Sequence, residues 1–355
     1  MDQKQERVDG IARAIIQLKS LLIFILAAVI LTPVGLFYGD GIYEAINREL
    51  DTKRQPVVIS EELPKEIFWS APDPSEIQDM QLKARIAYGI KLVAHTAKYL
   101  GPEGMVMKIS NGMNCQNCHL EAGTKTFGNN YSAVASTYPK FRARSGTSED
   151  LNKRINDCFE RSLNGKALDT ASNEMQAIKA YITFVGSNVA KGDKPNGAGL
   201  KELSYMDREA DPEKGKIVYQ AKCVSCHQAN GQGQFSLDGS EYTYPPLWGI
   251  HSYNDGAGLY RISNFAKYVK YNMPQGVSHT NPLLTDEEAW DVAAYVNSQD
   301  RPHIHVPKDW PDIAKKPVDH PFGPYADSFT ERQHKFGPFK PILAEQKISP
   351  PTAQK

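Results

Sequence analysis

Across 355 residues, 41 lysine and arginine side chains balance 41 aspartate and glutamate side chains. The chain therefore lacks the positive field that polyanions require, which excludes nucleic acid as a general partner. An apolar fraction of 41% over this length allows two or three domains with sizeable cores.

In chain order, the first predicted element lies between Ser20 and Gly39, where no side chain is charged and Leu21–Leu31 is an unbroken apolar run. Continued through Leu36 and Phe37, it is long enough to cross a bilayer, with Pro33 placed to kink it. It exceeds the core of a secretory signal and no small-x-small cleavage site follows it, so an uncleaved single-pass anchor is expected. Lys4, Arg7, Arg13 and Lys19 precede the run. The positive-inside rule then leaves residues 1–40 as cytoplasmic N-terminus and anchor in a bacterial inner membrane, and sends the remainder to the periplasm.

Residues from about Ile42 to Pro72 read as an extended lead-in. A helix is expected from Pro74-Ser75-Glu76, with Ile86, Ile90, Val93, Ala94 and Ala97 at helical spacing until Gly101-Pro102. Next comes Cys115-Gln116-Asn117-Cys118-His119, and the same Cys-x-x-Cys-His spacing recurs as Cys223-Val224-Ser225-Cys226-His227. This is the attachment signature of c-type haem: two thiols bond the porphyrin edge and the adjacent imidazole coordinates iron. A zinc ribbon would bring its cysteine pairs within roughly 15–20 residues, whereas these lie about a hundred apart. Two covalently bound haem c groups, with iron ligated by His119 and His227, are the expected cofactors.

Further helices are expected from Thr147 or Ser148 to Asn164-Gly165 and from Asn173 to about Val189. Residues 41–190 thus form a first haem domain, and 191–211, beginning with a run rich in lysine and glycine, a linker. Residues 212–300 follow the order of a small cytochrome c: a helix from Pro212 to Ala221, the haem motif, Tyr244-Pro245-Pro246-Leu247, Asn272-Met273-Pro274 and a closing helix from Thr285 to Ser298. From 301 to 355 many prolines and no periodic apolar run predict an irregular tail. The fold class is therefore mainly α: two cytochrome c-like haem domains in tandem, an N-terminal transmembrane helix and a proline-rich irregular tail.

What fills the remaining axial position of each iron decides its chemistry. Met273, between two turn-forming residues, is the candidate at the second haem; a histidine–methionine pair raises the potential and serves electron transfer. At the first haem the candidate is Cys158, the one cysteine outside the two motifs, with His95, Met105, Met107, Met113 and Met175 as rivals. Arg154, Cys158 and Ser162 fall at four-residue steps on one helical stripe, beside an apolar stripe of Leu151, Ile155, Phe159 and Leu163. A guanidinium beside the thiol and ferric iron would lower its pKa. Among nearby basic residues, Lys140, Lys153 and Arg161 read as solvated surface charges. Two arginines converging on a pocket would suit a small oxyanion, and a sulfur oxyanion is a plausible substrate.

The stretches Asn111–Leu120, Tyr138-Pro139 to Arg144, Arg154–Gly165 and Tyr271–Gly276 resemble the dihaem thiosulfate dehydrogenases, also described as tetrathionate reductases. The resemblance covers roughly Asp73 to Arg301 and is most specific around Cys158. It implies a first haem ligated by His119 and Cys158 as the active site, with Arg144, Arg154 and Ser162 near the bound anion and Arg142 as a weaker alternative to Arg144. It also implies a second haem, ligated by His227 and Met273, that exchanges electrons with a redox partner such as a cytochrome c, an oxidase or a quinone-linked complex. Some relatives carry lysine where Asn272 stands, and many lack an anchor. The implied reaction couples two thiosulfates to tetrathionate and releases two electrons. The competing expectations are a membrane-anchored dihaem electron carrier between a quinol-oxidising complex and a terminal oxidase, and a dihaem peroxidase.

Overall fold

The computed structural model describes residues 13, 15–29, 41, 44 and 66–348. The chain divides into two units, 1–66 and 67–355. In the first, residues 15–29 are helical with exposed side chains. Among the described residues no helix is long and apolar enough to cross a membrane. Residues 30–39 of the expected anchor lie outside the described residues.

The second unit is mainly helical and holds two apolar cores. In the first, α1 (Met80–Ala94) begins at Asp79, whose carboxylate accepts from the Gln81 and Leu82 amides. The expected start at Pro74 is instead a separate 3-10 turn, Pro74–Glu76. A two-stranded hairpin, β1 (Lys140–Arg142) on β2 (Thr147–Glu149), precedes α2 (Leu151–Asp157). Asp150 caps α2 through the Lys153 amide. The α-helix ends there, and Cys158–Ser162 forms one π-helical turn. α3 (Asn173–Val185) is capped by Ser172 and packs on α1. The two helices meet at Gly89, where a Cβ would lie 2.2 Å from the Ala177 carbonyl oxygen, so only glycine permits the approach. Ile86, Leu92, Val93, Met175, Ile178 and Val185 fill the core beneath.

The second core repeats this plan. α4 (Pro212–Lys222), capped by Asp211, crosses α6 (Asp286–Ser298) at Gly215, where a Cβ would lie 1.9 Å from the Asp291 carbonyl oxygen. Thr285 and Glu288 form a capping box at the start of α6. Between them α5 (Ile262–Asn272) leads directly to Met273. The segment expected as a linker is pinned to the first core, with the Phe127 and Asn129 amides donating to Gly197 and Gly199 at 2.8 Å.

The tail corrects the sequence reading in part. It is irregular to about 330, but α7 (Glu331–Phe336), capped by Thr330, and α8 (Lys340–Ile348) follow. Phe336, Phe339 and Ile342 enter the second core. Burying each such side chain contributes about 1.5–3 kcal/mol, enough to hold a short segment with few contiguous apolar residues. His334 is buried against Tyr325, with ring centroids 3.7 Å apart, and bonds Asp327 at 2.9 Å.

Candidate active site

At the first haem motif, Cys115 opens a 3-10 turn whose amide donates to the Thr96 hydroxyl at 3.0 Å, while the Asn114 side chain accepts from the Ala97 amide at 2.8 Å. His119 Nδ1 lies 2.5 Å from the Asn129 carbonyl oxygen. A carbonyl can only accept, so Nδ1 carries the proton and Nε2 is left to bind metal. Tyr131 packs against the ring at 4.6 Å between centroids.

Cys115, Cys118, His119, Arg154, Cys158 and Ser162 line one cavity, walled by Tyr131, Leu151, Ile155, Phe159, Ile178 and Ile182. Arg154 donates to Cys158 Sγ at 2.8 Å. Burial works against ionisation of the Cys158 thiol, but the Arg154 charge and the facing His119 imidazole outweigh it and hold the pKa down at about 6. The partner effect agrees: the Cys158 thiolate, above all, holds Arg154 more firmly protonated. In the same cavity burial pushes Cys115 and Cys118 up to about 12 as free thiols; as thioethers they do not titrate. Three sulfurs thus share a cavity and one is poised as a thiolate.

None of the rival ligands lines that cavity. Met113 and Met175 are buried in the first core. His95 turns to Glu241 at 3.0 Å, and Met105 is exposed. Of the basic residues, Arg154 is in place, whereas Arg144 lines a separate cavity beside the tail, 5.8 Å over the Trp310 ring and 4.0 Å from Asp309. Arg142 donates to the Tyr138 hydroxyl at 2.9 Å. Lys153 pairs with Asp157. The reading of Arg161 as a solvated charge is overturned: it is buried and grips Asp309 through both terminal nitrogens, at 2.8 and 2.9 Å. The partner sits about 150 residues downstream, beyond the reach of any local pattern.

At the second motif, His227 Nδ1 donates to the Pro245 carbonyl at 2.8 Å, again leaving Nε2 free, and burial holds its pKa below the ordinary value. Cys223, Cys226, His227 and Met273 line a cavity of about 900 Å³, within the range of cofactor sites. It extends to Cys118 of the first motif, and the Tyr268 hydroxyl ties the two haem domains by donating to the Asn117 carbonyl at 2.7 Å. Both donor sets fit c-type haem: paired thiols, a tautomer-fixed imidazole, and a further sulfur lining the same cavity, Cys158 in one and Met273 in the other.

Two family descriptions match in tandem: the SoxA/TsdA cytochrome c domain over residues 106–190 and cytochrome c over 212–300. The fold and sites define a dihaem cytochrome c, with two covalently bound haem c groups. The thiosulfate dehydrogenase of Psychrobacter arcticus is 37% identical over 242 residues, covering 68% of this chain and 71% of that one. That of Allochromatium vinosum is 35% identical over 255 residues, covering 71% and 91%. The structure of thiosulfate dehydrogenase (TsdBA) from Marichromatium purpuratum superposes with a TM-score of 0.60 at 28% identity. It matches 71% of this chain, which spans about half, 52%, of that longer one. The chain belongs to the thiosulfate dehydrogenase family of oxidoreductases.

Proposed function

We propose that the first haem cavity couples two thiosulfates through their outer sulfurs to tetrathionate, delivering two electrons to the haem pair, and that the reaction also runs in reverse. The observation that carries this reading is the Cys158 sulfur, held as a thiolate by Arg154 at 2.8 Å in the cavity of the first haem motif. An electron carrier needs no such group.

Two dianions repel strongly in a medium of low dielectric, and the Arg154 guanidinium offsets that repulsion, with the Ser162 hydroxyl lining the same cavity. The Cys158 thiolate bonds the outer sulfur of one thiosulfate, giving Cys–S–S–SO₃⁻ with loss of two electrons. The outer sulfur of a second thiosulfate then attacks the bridging sulfane; the S–S bond to Cys158 Sγ breaks, tetrathionate leaves and the thiolate is restored. When bound, the haems supply one-electron acceptors at each step of that two-electron loss. The Met273 ligand suits the second haem to pass the electrons on to a cytochrome c, an oxidase or a quinone-linked complex.

The apolar run Leu21–Leu31 behind Lys4, Arg7, Arg13 and Lys19 supports single-pass attachment to the inner membrane with the haem domains in the periplasm. The deciding experiment is an anaerobic assay of electron transfer from thiosulfate to an artificial acceptor, and of its reverse from tetrathionate. Stoichiometric tetrathionate formation supports the reading. Haem spectra indifferent to both oxyanions would leave only the electron carrier.

A further inference from the structure

The turn that carries Cys158 is held from outside its own domain. In a π turn the carbonyls reach five residues on, and here the Leu163 amide donates to the Cys158 carbonyl at 3.0 Å, while the Phe159 carbonyl is taken by the Gly165 amide, six residues on, at 2.9 Å. The next two carbonyls bond a residue of the second haem domain. Asn254 Nδ2 donates to the Glu160 oxygen at 2.8 Å, and the Asn254 amide donates to the Arg161 oxygen at 3.1 Å. Asn254 is 1% exposed, and its side chain also donates to Asn164 Oδ1 at 2.9 Å. A buried carbonyl deprived of such a donor is costly, so this single asparagine fixes where the turn ends.

The tail holds the opposite side. Asp309 takes both terminal nitrogens of Arg161, and the adjoining Trp310 amide donates to the Arg144 carbonyl at 2.6 Å. The segment before it is fixed in turn: the Ile304 amide and His303 ring bond Asp255, next to Asn254, at 3.0 and 2.6 Å. Arg161 is buried within the same turn as Cys158, so losing Asp309 would leave its charge facing only Asp157, at 3.9 Å.

We infer that Asn254 and Asp309, which lie outside the first haem domain, are positioning residues that set the place of the Cys158 sulfur. This rests on the reading of Cys158 as the ligand opposite His119. It makes the place of the first haem's sulfur depend on the second domain and the tail, because the groups that fasten its turn are found there. Outer groups that orient a metal ligand typically govern metal affinity or activity by about 10–100-fold.

The test uses the full dihaem protein in its oxidised form, read by electron paramagnetic resonance for sulfur-coordinated low-spin iron, with the histidine–methionine signal of the second haem as internal standard. Asn254→Asp removes the Nδ2 donor and Asp309→Asn the paired acceptor; Asp309→Glu keeps the carboxylate. We expect both of the first two variants to lose or split the sulfur signal, and imidazole to displace the sulfur about tenfold faster or more. The glutamate variant should recover most of the signal. Should Asn254→Asp not load its second haem, Asp309→Asn decides alone. Loaded variants with the wild-type signal and displacement rate would overturn the inference while leaving Cys158 as ligand. Absence of any sulfur signal in the wild type would overturn both.

Discussion

The two haem domains share a scaffold and differ in one ligand's surroundings. Each crosses its first and last helices at a glycine, Gly89 or Gly215, and each fixes its histidine tautomer through a backbone carbonyl, Asn129 or Pro245. In the second, Met273 follows the end of α5 and brings a neutral thioether to the cavity of the second motif. In the first, Cys158 is charged, carries its own guanidinium and sits on a π turn fastened by two outside segments. The lesson is that a neutral sulfur can be placed by its own chain segment, while one held as a thiolate draws its support from across the molecule.

The sharpest way to break the contrast is Cys158→Gly. It should abolish thiosulfate oxidation while mass spectrometry still finds two attached haems; normal turnover would make the domains functionally equivalent. Arg154→Gln should cost turnover on the order of 10². It should also raise the pH at which the sulfur ligand is lost. The Arg154 charge is the largest influence holding the Cys158 thiol's pKa down, so removing it strengthens the proton against iron in the competition for the sulfur and moves the loss to higher pH. A pH titration of the sulfur–iron absorption band reads the shift.

Met273→Leu tests the other domain. It should lower the potential of the second haem in a redox titration and slow delivery to the acceptor, with the Cys158 signal unchanged. The smallest effect concerns the tail. Burial, with Lys316, Arg144 and Arg261 nearby, holds His320 down at about 4 against 6.5, while its Nε2 accepts from Trp310 at 3.0 Å. Below pH 6.5 the unfolded chain binds a proton that the folded one refuses, so stability falls from 6.5 to about 4 by at most about 3 kcal/mol. Thermal unfolding of His320→Gln should show a flatter acid limb than the wild type.

Much of the site was legible in the sequence. The haem motifs fix spacing and ligand type together, and Arg154, Cys158 and Ser162 share the cavity that their four-residue steps suggested. The π turn was not legible, because its register depends on Asn254 rather than on local propensity. The burial of Arg161 was not legible for the same reason, since it answers to Asp309 in the tail, and neither were the contacts of Arg144 with Asp309 and Trp310. α5 escaped notice despite apolar residues at Ile262, Phe265, Ala266 and Val269, because Arg261 before it offers no side-chain cap. The tail helices bury only a few aromatic and aliphatic residues, too few for a periodic signal.

The most direct test is a single anaerobic mixing experiment. Oxidised wild type and Cys158→Gly, each with both haems in place, meet excess thiosulfate while haem absorption is followed and tetrathionate is measured. Wild-type haems should be reduced in step with tetrathionate formation and those of the variant should stay oxidised. Reduction of the variant at the wild-type rate would contradict the account.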